Sequence, residues 1–241
     1  MLRHKTLAWL VHLYTASGAV FGLLALLATA SDGDVRKAFL YLSIAALVDG
    51  TDGILARRVK VSELLPNFSG AYLDNAVDVL TYIFVPLFII VYEGLLPAWW
   101  WIIPPTIAAM YAYGQVNMKT EDHYFLGFPS YWNLVALYMW WFQTTGWVAV
   151  AMVLVPTVFT FVPTRWLYPS RNSIFWRTSW TLGSIWMALL FYLLWTDSHD
   201  LTLISLSLYY PAYYVILSFY VDFKIRREAR LSRTSPPSAH A

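Results

Sequence analysis

Asp49-Gly50-Thr51-Asp52-Gly53-Ile54-Leu55-Ala56-Arg57, followed after twelve residues by Gly70-Ala71-Tyr72-Leu73-Asp74-Asn75-Ala76-Val77-Asp78, places four carboxylates in two apolar segments. On a helix, spacings of three and four residues put Asp49 with Asp52, and Asp74 with Asp78, on one face. Asp49 precedes Arg57 by eight residues, roughly 12 Å along a helix axis. Asp74 and Asp78 lie a similar short way past the start of the next helix. Consecutive helices run antiparallel, so the four carboxylates converge at one depth, just below a basic helix end.

An ionisable group inside a membrane span is costly and marks a functional candidate. Four neighbouring carboxylates cannot all be ionised without a counter-charge. Either some are protonated or cations sit among them. Hard divalent ions such as Mg²⁺ or Mn²⁺ take oxygen ligands, and two such ions bridging a phosphate serve phosphoryl transfer. A proton or cation pathway explains the carboxylates alone equally well. The neighbours favour the phosphate: Gly50, Gly53 and Gly70 allow close approach to the helix backbone, and Arg57, about one turn on, suits a phosphate.

Composition carries this outward. The chain has 241 residues, 59% hydrophobic, 18% aromatic and 12% charged, with net charge +2. Soluble domains are about twice as charged, which excludes a soluble enzyme, a nucleic-acid module and a disordered chain. With no cysteine, thiol catalysis and zinc–thiolate sites are excluded. An all-α integral membrane protein remains. Apolar runs predict about eight spans: 7–30, 37–56, 70–95, 97–118, 130–144, 146–162, 176–195 and 201–223. The N-terminal run imitates a cleaved signal but is long enough to span. With both termini cytoplasmic, fourteen of the sixteen basic residues fall inside and only Arg36 and Lys37 outside. Residues 1–223 then form one transmembrane catalytic domain, and 224–241 a basic, partly disordered cytoplasmic tail.

The spaced residues resemble the signature of the CDP-alcohol phosphotransferases, in which Asp49, Asp52, Gly53, Ala56, Arg57, Gly70, Asp74 and Asp78 match in offset within each half. The long Arg57–Gly70 gap, the extra spans and the segment from Lys119 to Asn133 are similar to the bacterial phosphatidylcholine synthase branch. The resemblance implies a multi-pass protein of the bacterial inner membrane with its site facing the cytoplasm. It implies a two-metal site of Mn²⁺ or Mg²⁺ on Asp49, Asp52, Asp74 and Asp78, with Asp78 also the general base. Gly53, Ala56, Arg57 and Gly70 would line the CDP site, with Thr15 and Ser17 beside the cytidine, although small-residue helix packing explains those last two as well. The implied reaction joins CDP-diacylglycerol to choline, giving phosphatidylcholine and CMP. Family members are often homodimers. A sister enzyme with serine, inositol phosphate or glycerol phosphate as acceptor, or a cation transporter using the Asp cluster, are the competing readings.

Choline carries a quaternary ammonium without N–H donors, and aromatic faces hold such groups. The stretch after the fourth span offers Glu121, Asp122, Tyr124, Phe125, Phe128, Tyr131 and Trp132, with Asn133 following and Tyr111 and Tyr113 just before. An interfacial aromatic belt would look similar. The acidic, aromatic character of this loop favours a cationic acceptor over a phosphorylated one.

Overall fold

The computed structural model describes residues 2–116, 118, 120, 124–168 and 175–234. The chain opens with α1 (Leu2–Ala30) and α2 (Val35–Val59), which pack along each other. Asp34 caps α2 by accepting from the Lys37 N–H at 2.8 Å. Lys60, in the left-handed region at φ 58, closes it with its N–H on the Ala56 and Arg57 carbonyls. The long gap of the motif folds into the one-turn α3 (Val61–Leu64), whose Val61 is buried against Ala8 and Val11 of α1.

The next apolar run is α4 (Gly70–Asp78), a π-helical stretch over Val79–Phe84, and α5 (Val85–Tyr92). Ser69 caps it through the Tyr72 N–H at 3.2 Å. Pro86 has no N–H to give the carbonyl four residues back, and a widened turn beforehand accommodates that loss. Gly18 and Gly22, one turn apart on α1, face this run. A Cβ at Gly18 would lie 2.7 Å from Val77, and one at Gly22 would lie 3.0 Å from Leu80 and Thr81. Small residues at that spacing bring helices close in lipid. Here they press α1 against the helix that carries Asp74 and Asp78.

A 3₁₀ turn (Trp99–Ile102) leads into α6 (Ile103–Gly114). Strand β1 (Tyr124–Leu126) precedes α7 (Trp132–Trp141) and α8 (Gly146–Phe161), and β2 (Arg165–Leu167) follows them. The strands pair antiparallel, Tyr124 with Leu167 and Leu126 with Arg165. This pairing brings together the two ends of the α7–α8 segment, within which the chain breaks between the helices at residues 142–145. Three helices complete the bundle: α9 (Trp176–Trp195), α10 (Leu201–Ser207) and α11 (Tyr209–Thr234). The last runs past Phe223, the expected end of its span.

Among the described residues, five helices are long and apolar enough to cross a membrane: Arg3–Ala30, Val35–Val59, Gly70–Tyr92, Trp176–Trp195 and Leu201–Glu228. Gly146–Phe161 is apolar but shorter. The protein is thus a multi-pass membrane protein. Hydroxyls inside it bond to their own helix: Thr29 to the Ala25 carbonyl, Ser43 to Phe39, Thr81 to Val77 and Thr157 to Val153. In lipid such internal satisfaction replaces water. Between helices, the Tyr138 hydroxyl meets Ser207 Oγ at 2.9 Å and accepts from Trp186 Nε1 at 3.2 Å, tying α7, α9 and α10 together.

Candidate functional site

Asp49, Asp74 and Asp78 each present a carboxylate oxygen within 4.8 Å of the others. The two helices converge as the spacing predicts. Oxygens 2.0–2.6 Å from a shared Mg²⁺ or Ca²⁺-sized ion sit up to about 5 Å apart when opposed across it, so an oxygen-only trio of this spread fits a hard divalent cation. Asp52 is buried and lies beside the same cavity, but outside that trio. Three residues along a helix turn about 300°, leaving Asp52 some 60° off the direction of Asp49.

Tyr82, which sequence reasoning passed over, donates its hydroxyl to Asp49 Oδ2 at 2.8 Å. It lies four residues beyond Asp78, and the π turn carries it to α2. A hydroxyl that orients a ligating carboxylate is worth about 10–100-fold in metal affinity or activity. Mn²⁺ binding followed by electron paramagnetic resonance is therefore expected to weaken roughly tenfold in Tyr82→Phe. Unchanged binding would show that the hydroxyl does not orient Asp49.

The carboxylates border a cavity of about 1330 Å³. Its wall includes Thr15, Gly53, Ala56, Arg57 and Gly70 from the motif and first helix, and Tyr113, Phe125, Phe128, Tyr131 and Asn133 from the aromatic stretch. Glycine plays a more local part here than the spacing suggests. A Cβ at Gly53 would lie 3.1 Å from the Arg57 guanidinium, and one at Gly70 would lie 2.9 Å from His12 Cε1. Each of these glycines makes room for a side chain of the protein, while Gly50 faces open space. His12 is itself buried, borders the cavity beside Phe68, and its Nε2 has no hydrogen-bond partner among the described residues.

Other expected residues sit elsewhere. The Ser17 hydroxyl donates to the Tyr14 carbonyl at 2.6 Å, and Ser17 is not part of the described cavity wall. Thr15 donates to the Val11 carbonyl at 3.3 Å while bordering the cavity. Tyr124 is buried in a cluster with Trp166, Leu167, Tyr214 and Val221 and does not border the cavity, whereas Phe125 and Leu126, which follow it in β1, do. Trp132 is fully buried in the main core. Tyr111 is exposed and packs on Phe161. Glu121 and Asp122 lie outside the described residues. The wall gains Trp166, Tyr168, Tyr210 and Tyr214, distant in sequence from the motif and without a sequence signal of their own.

Three convergent carboxylates and Arg57 on the wall of a roomy cavity with aromatic lining suit a large phosphorylated ligand handled with a divalent cation. Residues 9–162 match the CDP-alcohol phosphatidyltransferase family. A phosphatidylcholine synthase of Pseudomonas aeruginosa is 38% identical over 187 residues, which span 76% of this chain and 78% of that protein. A phosphatidylcholine synthase of Legionella pneumophila is 37% identical over 239 residues, spanning 93% and 92%. One from Rhizobium johnstonii is 35% identical over 167 residues, spanning 68% and 69%.

Proposed function

The chain belongs to the CDP-alcohol phosphatidyltransferase family, and from that membership we propose that it is a phosphatidylcholine synthase, transferring the phosphatidyl group of CDP-diacylglycerol to choline and releasing CMP. The convergence of Asp49, Asp74 and Asp78 at the edge of one cavity carries this reading. The relatives named for that activity support the acceptor.

In this reading Asp49, Asp52, Asp74 and Asp78 hold two divalent cations, Mn²⁺ or Mg²⁺. The cations would supply charge neutralisation at the pyrophosphate. Gly53, Ala56, Arg57 and Gly70 receive the CDP, with Thr15 and His12 on the α1 side. Asp78 takes the proton of the choline hydroxyl as its oxygen attacks the phosphorus that bears diacylglycerol. The bond from that phosphorus to the CMP oxygen breaks, and Arg57 stabilises the charge on departing CMP. The protein's part is positioning and electrostatics. Phe128, Tyr131 and Asn133 belong to the choline side of the cavity. Of the rest of the acceptor set expected from sequence, Tyr124 and Trp132 are packed in the core away from the cavity, and Glu121 and Asp122 lie outside the described residues.

Eight spans, both termini in the cytoplasm and a site opening to that side complete the reading. The protein then lies in the bacterial inner membrane, with 1–223 as the catalytic domain, 224–241 as a basic tail, and a homodimer as the assembly. The depth of the carboxylates suits it: acyl chains stay in the bilayer while the CDP group meets the basic helix ends.

Purified protein in detergent, given CDP-diacylglycerol and Mn²⁺, is expected to release CMP with choline and much less with serine, inositol phosphate or glycerol phosphate. A chelator should abolish the release. No choline-dependent CMP would overturn the reading. Flux of cations across vesicles without CMP would favour a transporter.

A further inference from the structure

We propose that Phe128, Tyr131, Trp166 and Tyr214 form a four-sided aromatic box for the trimethylammonium group of the acceptor, and that Trp166 and Tyr214 set acceptor choice. This rests on the synthase reading and adds to it the residues that would recognise the cation.

The four rings meet in a closed circuit. Ring centroids lie 6.4 Å apart for Phe128 and Tyr131, 5.7 Å for Tyr131 and Tyr214, 6.0 Å for Tyr214 and Trp166, and 5.9 Å for Trp166 and Phe128. All four border the cavity. A cation at the middle of a circuit with such sides lies within about 6 Å of every centroid, the range of cation–π attraction. A quaternary ammonium has no N–H for a hydrogen-bonding site to select, so ring faces are what can distinguish it. The box adjoins the carboxylates: the Tyr131 ring lies 6.3 Å from Tyr82, whose hydroxyl rests on Asp49.

Two walls are held from outside the motif-bearing helices. Tyr214, Ser218 and Asp222 recur every four residues along one face of α11 and grip the backbone of β2. Tyr214 donates to the Leu167 carbonyl at 2.7 Å, and Ser218 Oγ accepts from the Leu167 N–H at 3.2 Å. Asp222 Oδ1 accepts from the Arg165 N–H at 3.2 Å, and its other oxygen from Arg226 Nε at 2.7 Å. Trp166 lies between two gripped residues, and its Nε1 donates to Thr164 Oγ1 at 2.9 Å. That bond, a stack on Tyr214 and an edge contact with Phe219 at 5.5 Å hold the indole in place.

The family match ends at residue 162. Trp166 and Tyr214 lie beyond it, while all four carboxylates lie within it. Metal and CDP handling thus belong to the part shared across the family. Half of the box comes from beyond the family match, in a region that the alignment to the Legionella relative, spanning 93% of this chain, also covers.

In the unmodified protein, tetramethylammonium should inhibit competitively against choline and not against CDP-diacylglycerol. Absence of that competition overturns the box. In Trp166→Leu and Tyr214→Leu, the preference for choline over its uncharged isostere 3,3-dimethylbutan-1-ol should fall roughly tenfold, with the KM for CDP-diacylglycerol unchanged. An unchanged preference, or equal increases in both KM values, overturns the assignment of Trp166 and Tyr214. The inhibition experiment decides the box even if a variant fails to fold. If the unmodified protein releases no CMP with choline, the synthase reading falls first and the box with it.

Discussion

Asp78→Asn is expected to lower choline-dependent CMP release by about a thousandfold or more, the upper range for loss of a general base. Asp78 ends α4, is 9% exposed, and shares the trio with Asp49 and Asp74. Asparagine keeps its shape but cannot take a proton at pH 7. It retains one carbonyl oxygen, so some cation affinity survives. Excess Mn²⁺ should therefore restore much of the activity of Asp74→Asn, whose loss is one of affinity, and little of Asp78→Asn. Thermal unfolding of both in detergent should stay near the unmodified value, since neither substitution changes volume. Near-normal turnover in Asp78→Asn would remove it from the role of base. Rescue of both variants by metal would leave it a ligand alone.

Gly127→Ala is expected to be the most destabilising of the small substitutions. Gly127 has φ +79, in the left-handed region, and a Cβ there would lie 2.3 Å from the Thr160 carbonyl oxygen. The conformation alone costs an alanine roughly 1–2 kcal/mol. The clash is with backbone, so α8 or the strand–helix turn must move. Together these should reach about 3 kcal/mol, the level of a severe core substitution. In a protein of this length that is a fall of roughly 6–12 °C in apparent Tm. Gly94→Ala is the control: its φ of +63 is similar, with nothing within 4 Å of the added carbon, so it should cost only about 1 kcal/mol. Gly127 directly precedes Phe128, so choline use should suffer before CDP-diacylglycerol binding. Equal, small losses in the two variants would mean that the turn yields easily around Thr160.

The carboxylate centre was legible because its information is local. Asp74 and Asp78 share a face by helical period alone, and the helix bearing Asp49 is the preceding antiparallel neighbour. Charge scarcity made these residues stand out. Tyr82 was less visible because the π turn before Pro86 breaks the regular period and decides where its hydroxyl goes. Spacing suggests that Gly70 admits a ligand, whereas His12 on another helix occupies the space that a Cβ would need. Within the aromatic stretch, composition could not separate Phe125 from Tyr124 or Tyr131 from Trp132. Neighbouring residues point different ways, and only packing tells which way is the cavity.

Local pattern is enough to specify a membrane-embedded helical protein with clustered carboxylates near a basic helix end, because hydropathy, charge and helical period act over one or two turns. Which aromatic rings meet is set by long-range packing. The pairing of β1 with β2 and the grip of α11 on β2 join residues 128, 131, 166 and 214 across long stretches of chain. Such contacts depend on how whole helices pack, and no local pattern encodes them.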